Sequence, residues 1–214
     1  MKDGKAEIKI RFAENISKDD ISGILQRSSA AFVLDHPECF WISYEKLSFT
    51  YIESDGGVSA ITAKKKDECE YYFPSDFKFP SDVTKEAEEV KEKIDEIIKN
   101  AEEYPSAYEK IKYFHDYLCK NNVYNEYVRN GDDDKADKSA WRALSALTSD
   151  KDAKKGPVCE GYSKAFKMLC DAIGIKATTE NEDGTSSENM VYNIITSLAG
   201  SADAVVELLL KLLN

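Results

Sequence analysis

Cys159 lies in the run Lys154-Lys155-Gly156-Pro157-Val158-Cys159-Glu160-Gly161-Tyr162, where a Gly-Pro loop delivers a thiol to the first turn of a helix. Tyr162, Phe166, Leu169 and Ile173 follow at helical spacing and predict one buried face, and Gly174 stands where such a helix stops. A thiol at that position faces unpaired backbone N–H groups and the positive end of the helix dipole. Both favour the thiolate, which is the nucleophilic form. The same spacing also fits a small buried hydrophobe in a core helix, the usual place of a free cysteine.

Proton carriers are scarce. The chain has two histidines, His36 and His115, and both precede Cys159. His115 falls on a helix expected over Tyr108 to Lys120, among the apolar stripe Ile111, Phe114 and Leu118. It is expected to hold a backbone carbonyl, with its neighbour Asp116 pointing elsewhere on the helix. His36 precedes Pro37 in an extended or turn segment and reads as a surface or domain-junction residue. The five cysteines, at 39, 69, 119, 159 and 170, show no CxxC pair and no metal-ligand spacing. Cys119 and Cys170 are expected in the core.

The elements that must position these groups read as follows. Glu7 to Phe12 alternates polar and apolar residues, a half-buried strand, and Ser17 offers an N-cap for a helix through Ile21, Ile24 and Leu25. Lys46 to Glu53 and Gly57 to Ala63 predict a hairpin turning at Asp55-Gly56-Gly57, with Glu70 to Phe73 extending the sheet. A linker around Pro74 to Pro80 precedes a helix over Ser81 to Glu103, and the aromatics from Tyr71 to Phe79 are read as sealing an interdomain joint. The acidic stretch Asn130 to Lys138 lacks the twelve-residue calcium pattern and reads as a solvated loop.

Together these pieces resemble the transglutaminase-like superfamily. Its cysteine motif is matched by Gly156, Val158, Cys159, Gly161, Tyr162, Ala165, Phe166 and Leu169, then Gly174-Ile175. Tyr108 to Tyr124 is similar to the family helix that ends in His-Asp-Tyr-Leu and leads to a strand start, and Ser139 to Leu144 to the helix before the cysteine loop. Leu34 to Trp41 looks like a stretch found ahead of this domain in many bacterial envelope proteins.

The resemblance implies a papain-related fold in which the cysteine attacks a carbonyl, a histidine moves protons and an aspartate orients the histidine. In the family the histidine follows the cysteine helix on a strand. Ser187 to Ile194 is the segment best placed to match it, which sets Asn189 at the histidine position, and nothing beyond Asn193 resembles the aspartate strand. An asparagine amide cannot accept and return a proton near neutral pH. The implied function is therefore cysteine acyl transfer or peptidase-type chemistry on protein or peptide amides, impaired or inactive in this chain. The alternative is a non-catalytic peptide- or carbohydrate-binding or scaffold protein on the same fold. In the first reading Trp141 and Tyr162 line the substrate groove, and N–H groups at the start of the Cys159 helix receive the oxyanion. No metal or organic cofactor is implied. The location implied is the bacterial cell envelope or the exterior.

Composition sets the outer bounds. The 214 residues carry 40 acidic against 29 basic side chains, a net charge of −11, which disfavours nucleic acid and anionic membrane as partners. No targeting segment opens the chain, which leaves a cytoplasmic protein as the alternative location or an exported one without its leader. After Gly200-Ser201, Val205 to Leu213 reads as a short leucine-rich helix, too short to span a membrane and a candidate for self-association. The fold expected is α+β. A strand-helix-sheet unit over 1–79 precedes a transglutaminase-like domain over 80–200 with a helical core and short antiparallel sheet, and the leucine-rich helix follows at 201–214.

Overall fold

The computed structural model describes residues 8–148 and 151–175. Two compact units divide the chain, Met1–Val83 and Thr84–Asn214. Helices and strands mix, so the coarse α+β expectation holds.

In the first unit, strand β1 (Ile8–Ile16) and the hairpin β2 (Leu47–Ser54) and β3 (Gly57–Lys65) form an antiparallel sheet in the order β1-β3-β2. The hairpin closes with Ser54 opposite Gly57, so the loop is the two residues Asp55 and Gly56. Both have positive φ, 48° and 81°, as a type I′ turn requires, and Asp-Gly is a pair that tolerates it. Helix α1 (Lys18–Asp35) starts at the expected cap, where the Ser17 hydroxyl accepts the Asp19 N–H at 3.2 Å. Ile21 of α1 packs on Val58 and Ile61 of β3, with Phe12, Ile16 and Leu25 around them.

The strand expected over Glu70 to Phe73 does not form. The chain turns after β3 instead, with the Cys69 N–H donating to the Lys66 carbonyl, and Tyr71 and Phe73 stack 4.6 Å apart. Side chains two apart on a strand share a face, and here they satisfy each other before Pro74 rather than pairing with a strand.

The described residues of the second unit form helices and the loops between them, and no strand. Its helices are α2 (Pro80–Ala101, whose first residues belong to the first unit), α3 (Ala107–Asn121), α4 (Glu126–Arg129), α5 (Ala143–Leu147) and α6 (Cys159–Ala172). Ser106 and Glu109 close a reciprocal capping box at the start of α3. Ile97 of α2, Phe114 of α3, Leu147 of α5 and Leu169 of α6 are fully buried in one core, each contributing about 1.5–3 kcal/mol of transfer free energy. The strand start expected at Val123-Tyr124 is a connection between α3 and α4 with no ladder. The helix expected over Ser139 to Leu144 is a 3₁₀ turn, Lys138–Trp141, followed by α5.

The three-stranded sheet belongs to the first unit. The second domain's expected strands, including Ser187 to Ile194 with Asn189, lie outside the described residues, as does the Val205 to Leu213 helix. No helix among the described residues is long and apolar enough to cross a membrane.

Candidate functional site

Cys159 is the first residue of α6, and its side chain is half-buried. The helix ends at Gly174, φ 77°, where the Ile175 N–H reaches the Cys170 carbonyl at 3.0 Å and the Gly174 N–H reaches Asp171 at 2.9 Å. That is a Schellman closure, and it needs a residue tolerant of the left-handed region.

Three contacts hold the loop that presents the thiol. Gly156 lies against the backbone of Val123 so closely that a Cβ there would stand 1.8 Å from the Val123 carbonyl oxygen. Gly161, in the first turn of α6, lies against the Lys138–Trp141 turn, where a Cβ would be 2.5 Å from the Ala140 oxygen. That same oxygen accepts the Val158 N–H at 3.0 Å and the Ser145 hydroxyl at 3.3 Å. The glycines on either side of Cys159 are thus places where backbone meets backbone.

Asn125 is the third contact and is fully buried. Its amide donates to the carbonyls of Lys154 (3.2 Å) and Gly156 (3.1 Å), while its oxygen accepts the N–H groups of Tyr127 (3.1 Å) and Val128 (3.4 Å). Its own N–H donates to the Pro157 carbonyl at 3.1 Å. One side chain therefore caps α4 and clamps the cysteine loop. Sequence reasoning missed this residue, although an asparagine directly before Glu126 carries a helix-cap signal.

Around the thiol, the Cys159 N–H donates to the Tyr124 hydroxyl at 3.4 Å, and the Ser163 hydroxyl donates to the Cys159 carbonyl at 2.7 Å. The rings of Tyr124 and Tyr162 lie parallel within 9°, their centroids 6.4 Å apart. Burial pushes the Tyr162 phenol well above its ordinary pKa, with Cys119 and Tyr124 adding to the shift. Tyr162 thus stands in the immediate surroundings of Cys159. Trp141 closes the 3₁₀ turn against which Gly161 packs, with the Lys138 ammonium 5.8 Å above its ring. Tyr124 is a second residue that sequence reasoning missed.

The Trp141 turn is anchored to α2. Arg142 Nε donates to Glu86 Oε1 at 2.6 Å, and both side chains are nearly buried. Removing one partner takes a short charged bond from the other in a nearly buried place, so Arg142→Ala is expected to cost about 3 kcal/mol. A denaturant midpoint that moves by less than the equivalent of about 0.5 kcal/mol would show the pair to be no more than a surface contact.

His115 departs from its expected role. Its Nδ1 lies 3.1 Å from Asp116 Oδ1, and its Nε2 lies 3.4 Å from Cys119 Sγ. The residue contacts a carboxylate and a thiol, where a backbone carbonyl was expected, and adjacent side chains on a helix can meet at their tips. Cys119 is exposed, because it sits one residue past Leu118 and so rotates off the buried stripe. Cys170 is core, and burial pushes its thiol up to about 12. All five cysteines are free. His36 is exposed beside Glu38, at 3.0 Å.

A family model described as the Transglutaminase-like superfamily matches residues 79–210, a span that contains every contact just described around Cys159. Comparison with curated proteins and with solved structures returned no match.

Proposed function

The chain belongs to the transglutaminase-like superfamily, and on that premise we propose that its second unit is an acyl-transfer or peptidase-type domain. Cys159 is its nucleophile toward protein or peptide amides, and turnover is impaired for want of a general base. The observation that carries this reading is the placement of Cys159 as the opening residue of α6, in a loop held through backbone atoms by Asn125, Gly156 and Gly161.

In the proposed step the Cys159 thiol gives up its proton and the sulfur bonds to the amide carbonyl carbon. The C–N bond then breaks, the amine leaves with a proton, and a thioester remains for an amine or water to take. By position, the N–H groups of Glu160 and Gly161 have no acceptor within α6 and suit a developing oxyanion. Tyr162 and Trp141 border the substrate. Asn189, at the family's histidine position by resemblance, cannot relay the proton. The same resemblance extends the proposal to a papain-related fold and to work at the bacterial envelope or outside the cell.

A second reading, a silent peptide- or carbohydrate-binding domain or scaffold, is favoured by one contact. The Tyr124 hydroxyl already occupies the Cys159 N–H, which an oxyanion would otherwise use.

Alkylation with iodoacetamide across pH, with peptide mass spectrometry resolving the five thiols, tests the nucleophile. Cys159 is expected to be alkylated faster than Cys39, Cys69 and the buried Cys170. Glutamine-donor labelling and peptide cleavage are expected to stay at the level of a Cys159→Ala control. Turnover above that control would overturn the impairment. An inert Cys159 would overturn the nucleophile and leave the silent reading.

A further inference from the structure

Helix α3 carries a group of side chains that the reading above does not use. Cys119 and His115 are four residues apart, and that spacing sets Nε2 of His115 3.4 Å from the Cys119 sulfur. On the other edge of the ring, Nδ1 lies 3.1 Å from Asp116 Oδ1. A carboxylate at Nδ1 favours the tautomer with its proton there, which turns the Nε2 lone pair toward the thiol. Cys119 is exposed as a residue, with its sulfur partly covered, so the thiol is approached from one side.

We infer that Cys119, His115 and Asp116 form a second nucleophilic site, with a thiol of its own beside that of Cys159, that takes up small anionic disulfides by thiol–disulfide exchange. The Cys119 proton passes to His115 Nε2 as the sulfur attacks one sulfur of the disulfide. The S–S bond breaks, the departing thiolate takes up a proton, and a mixed disulfide remains on Cys119 with one free thiol released. No other oxidant enters.

The charges around the site fit that step. Burial pushes the Cys119 thiol up and Asp116 adds to it, against a lowering by Lys120. The sulfur is therefore protonated at neutral pH and depends on an adjacent base. Burial raises the Asp116 carboxyl, yet His115, Lys112 and Lys120 together bring it below the ordinary range, so it is ionised when the imidazole gains a proton. Lys112 and Lys120 each stand 3.2 Å from Asp116 and give an anionic disulfide two ammonium groups to approach. From α6 the Tyr162 phenol lies close enough to feel Cys119, and it stays neutral.

The probe is oxidised glutathione, with mixed disulfides mapped by peptide mass spectrometry so that Cys159 is read separately. Cys119 is expected to react faster than Cys39 and Cys69, because only Cys119 has an imidazole nitrogen beside its sulfur. His115→Gln is expected to slow it by roughly 10²-fold and to shift its pH dependence upward, since burial and Asp116 hold the unassisted thiol above its ordinary range. Asp116→Asn, at a partly exposed position, is expected to give a smaller fall and decides the matter if the histidine variant does not fold. An unchanged rate and pH profile in these variants, or a Cys119 no faster than Cys39 and Cys69, would overturn the site.

Discussion

Gly156→Ala is expected to unfold the cysteine loop, at a cost above about 4 kcal/mol. A Cβ at this position would sit 1.8 Å from the Val123 oxygen, 3.0 Å from its carbonyl carbon and 3.4 Å from the Asn125 nitrogen. All three are backbone atoms, so no rotamer change relieves the clash. The loop must move by about 1.5 Å to reach ordinary contact, and overpacking on that scale falls among the largest single-site effects. The displacement also draws the Pro157 carbonyl away from the Asn125 N–H, which it accepts at 3.1 Å. Gly131→Ala is the matched control. Gly131 has φ 78° with nothing within 4 Å of its would-be Cβ, so only the left-handed backbone is penalised, by about 1–2 kcal/mol. Chemical denaturation of the two variants beside the parent measures the difference. A Gly156→Ala protein as stable as Gly131→Ala would mean that the loop does not rest on Val123.

Asn125→Ala is expected to cost about 4 kcal/mol. The substitution strands two carbonyls and two N–H groups around a fully buried amide, and each unsatisfied group costs about 1–3 kcal/mol, lessened by the water that reaches the three of them that are only partly buried. Asn125→Asp separates the two halves of the clamp. A carboxylate still accepts from Tyr127 and Val128, but it turns an oxygen toward the carbonyls of Lys154 and Gly156. Burial beside those carbonyls raises the aspartate's folded pKa above its unfolded value of about 3.9. The protonated acid is then the better-tolerated form, and the extra destabilisation grows as pH rises through the unfolded pKa. The stability gap between Asn125→Asp and the parent is therefore expected to be narrower near pH 4 than at pH 7. A gap independent of pH would show that residue 125 is solvated.

What the sequence discloses and what it withholds divide along physical lines. The start of α6 at Cys159, its stop at Gly174, the Ser17 cap and the Asp55-Gly56 turn are local events, set by residues within a turn of one another. Periodicity and cap chemistry report them directly. Asn125 acts on carbonyls 29 and 31 residues away, and no spacing rule encodes such a contact. Tyr124 reaches the N–H of Cys159 across 35 residues by the same kind of tertiary closure. The missing strand at Glu70 to Phe73 shows a propensity overridden, because ring stacking ahead of Pro74 used the aromatics that had suggested a ladder. Cys119 was misplaced by a single position on α3, enough to carry a thiol from the core to solvent.

The clasp on the cysteine loop addresses main-chain atoms only. Asn125 holds the carbonyls of Lys154 and Gly156, and Gly156 rests on the carbonyl of Val123. The side chains of Lys154 and Lys155 are exposed and take no part in it. Where the sulfur stands is thereby uncoupled from the chemical character of the rim beside it. Charge or bulk at 154 and 155 can be rewritten, by drift or by a library, while the thiol keeps its address, so choice of partner can diversify on a nucleophile that does not move.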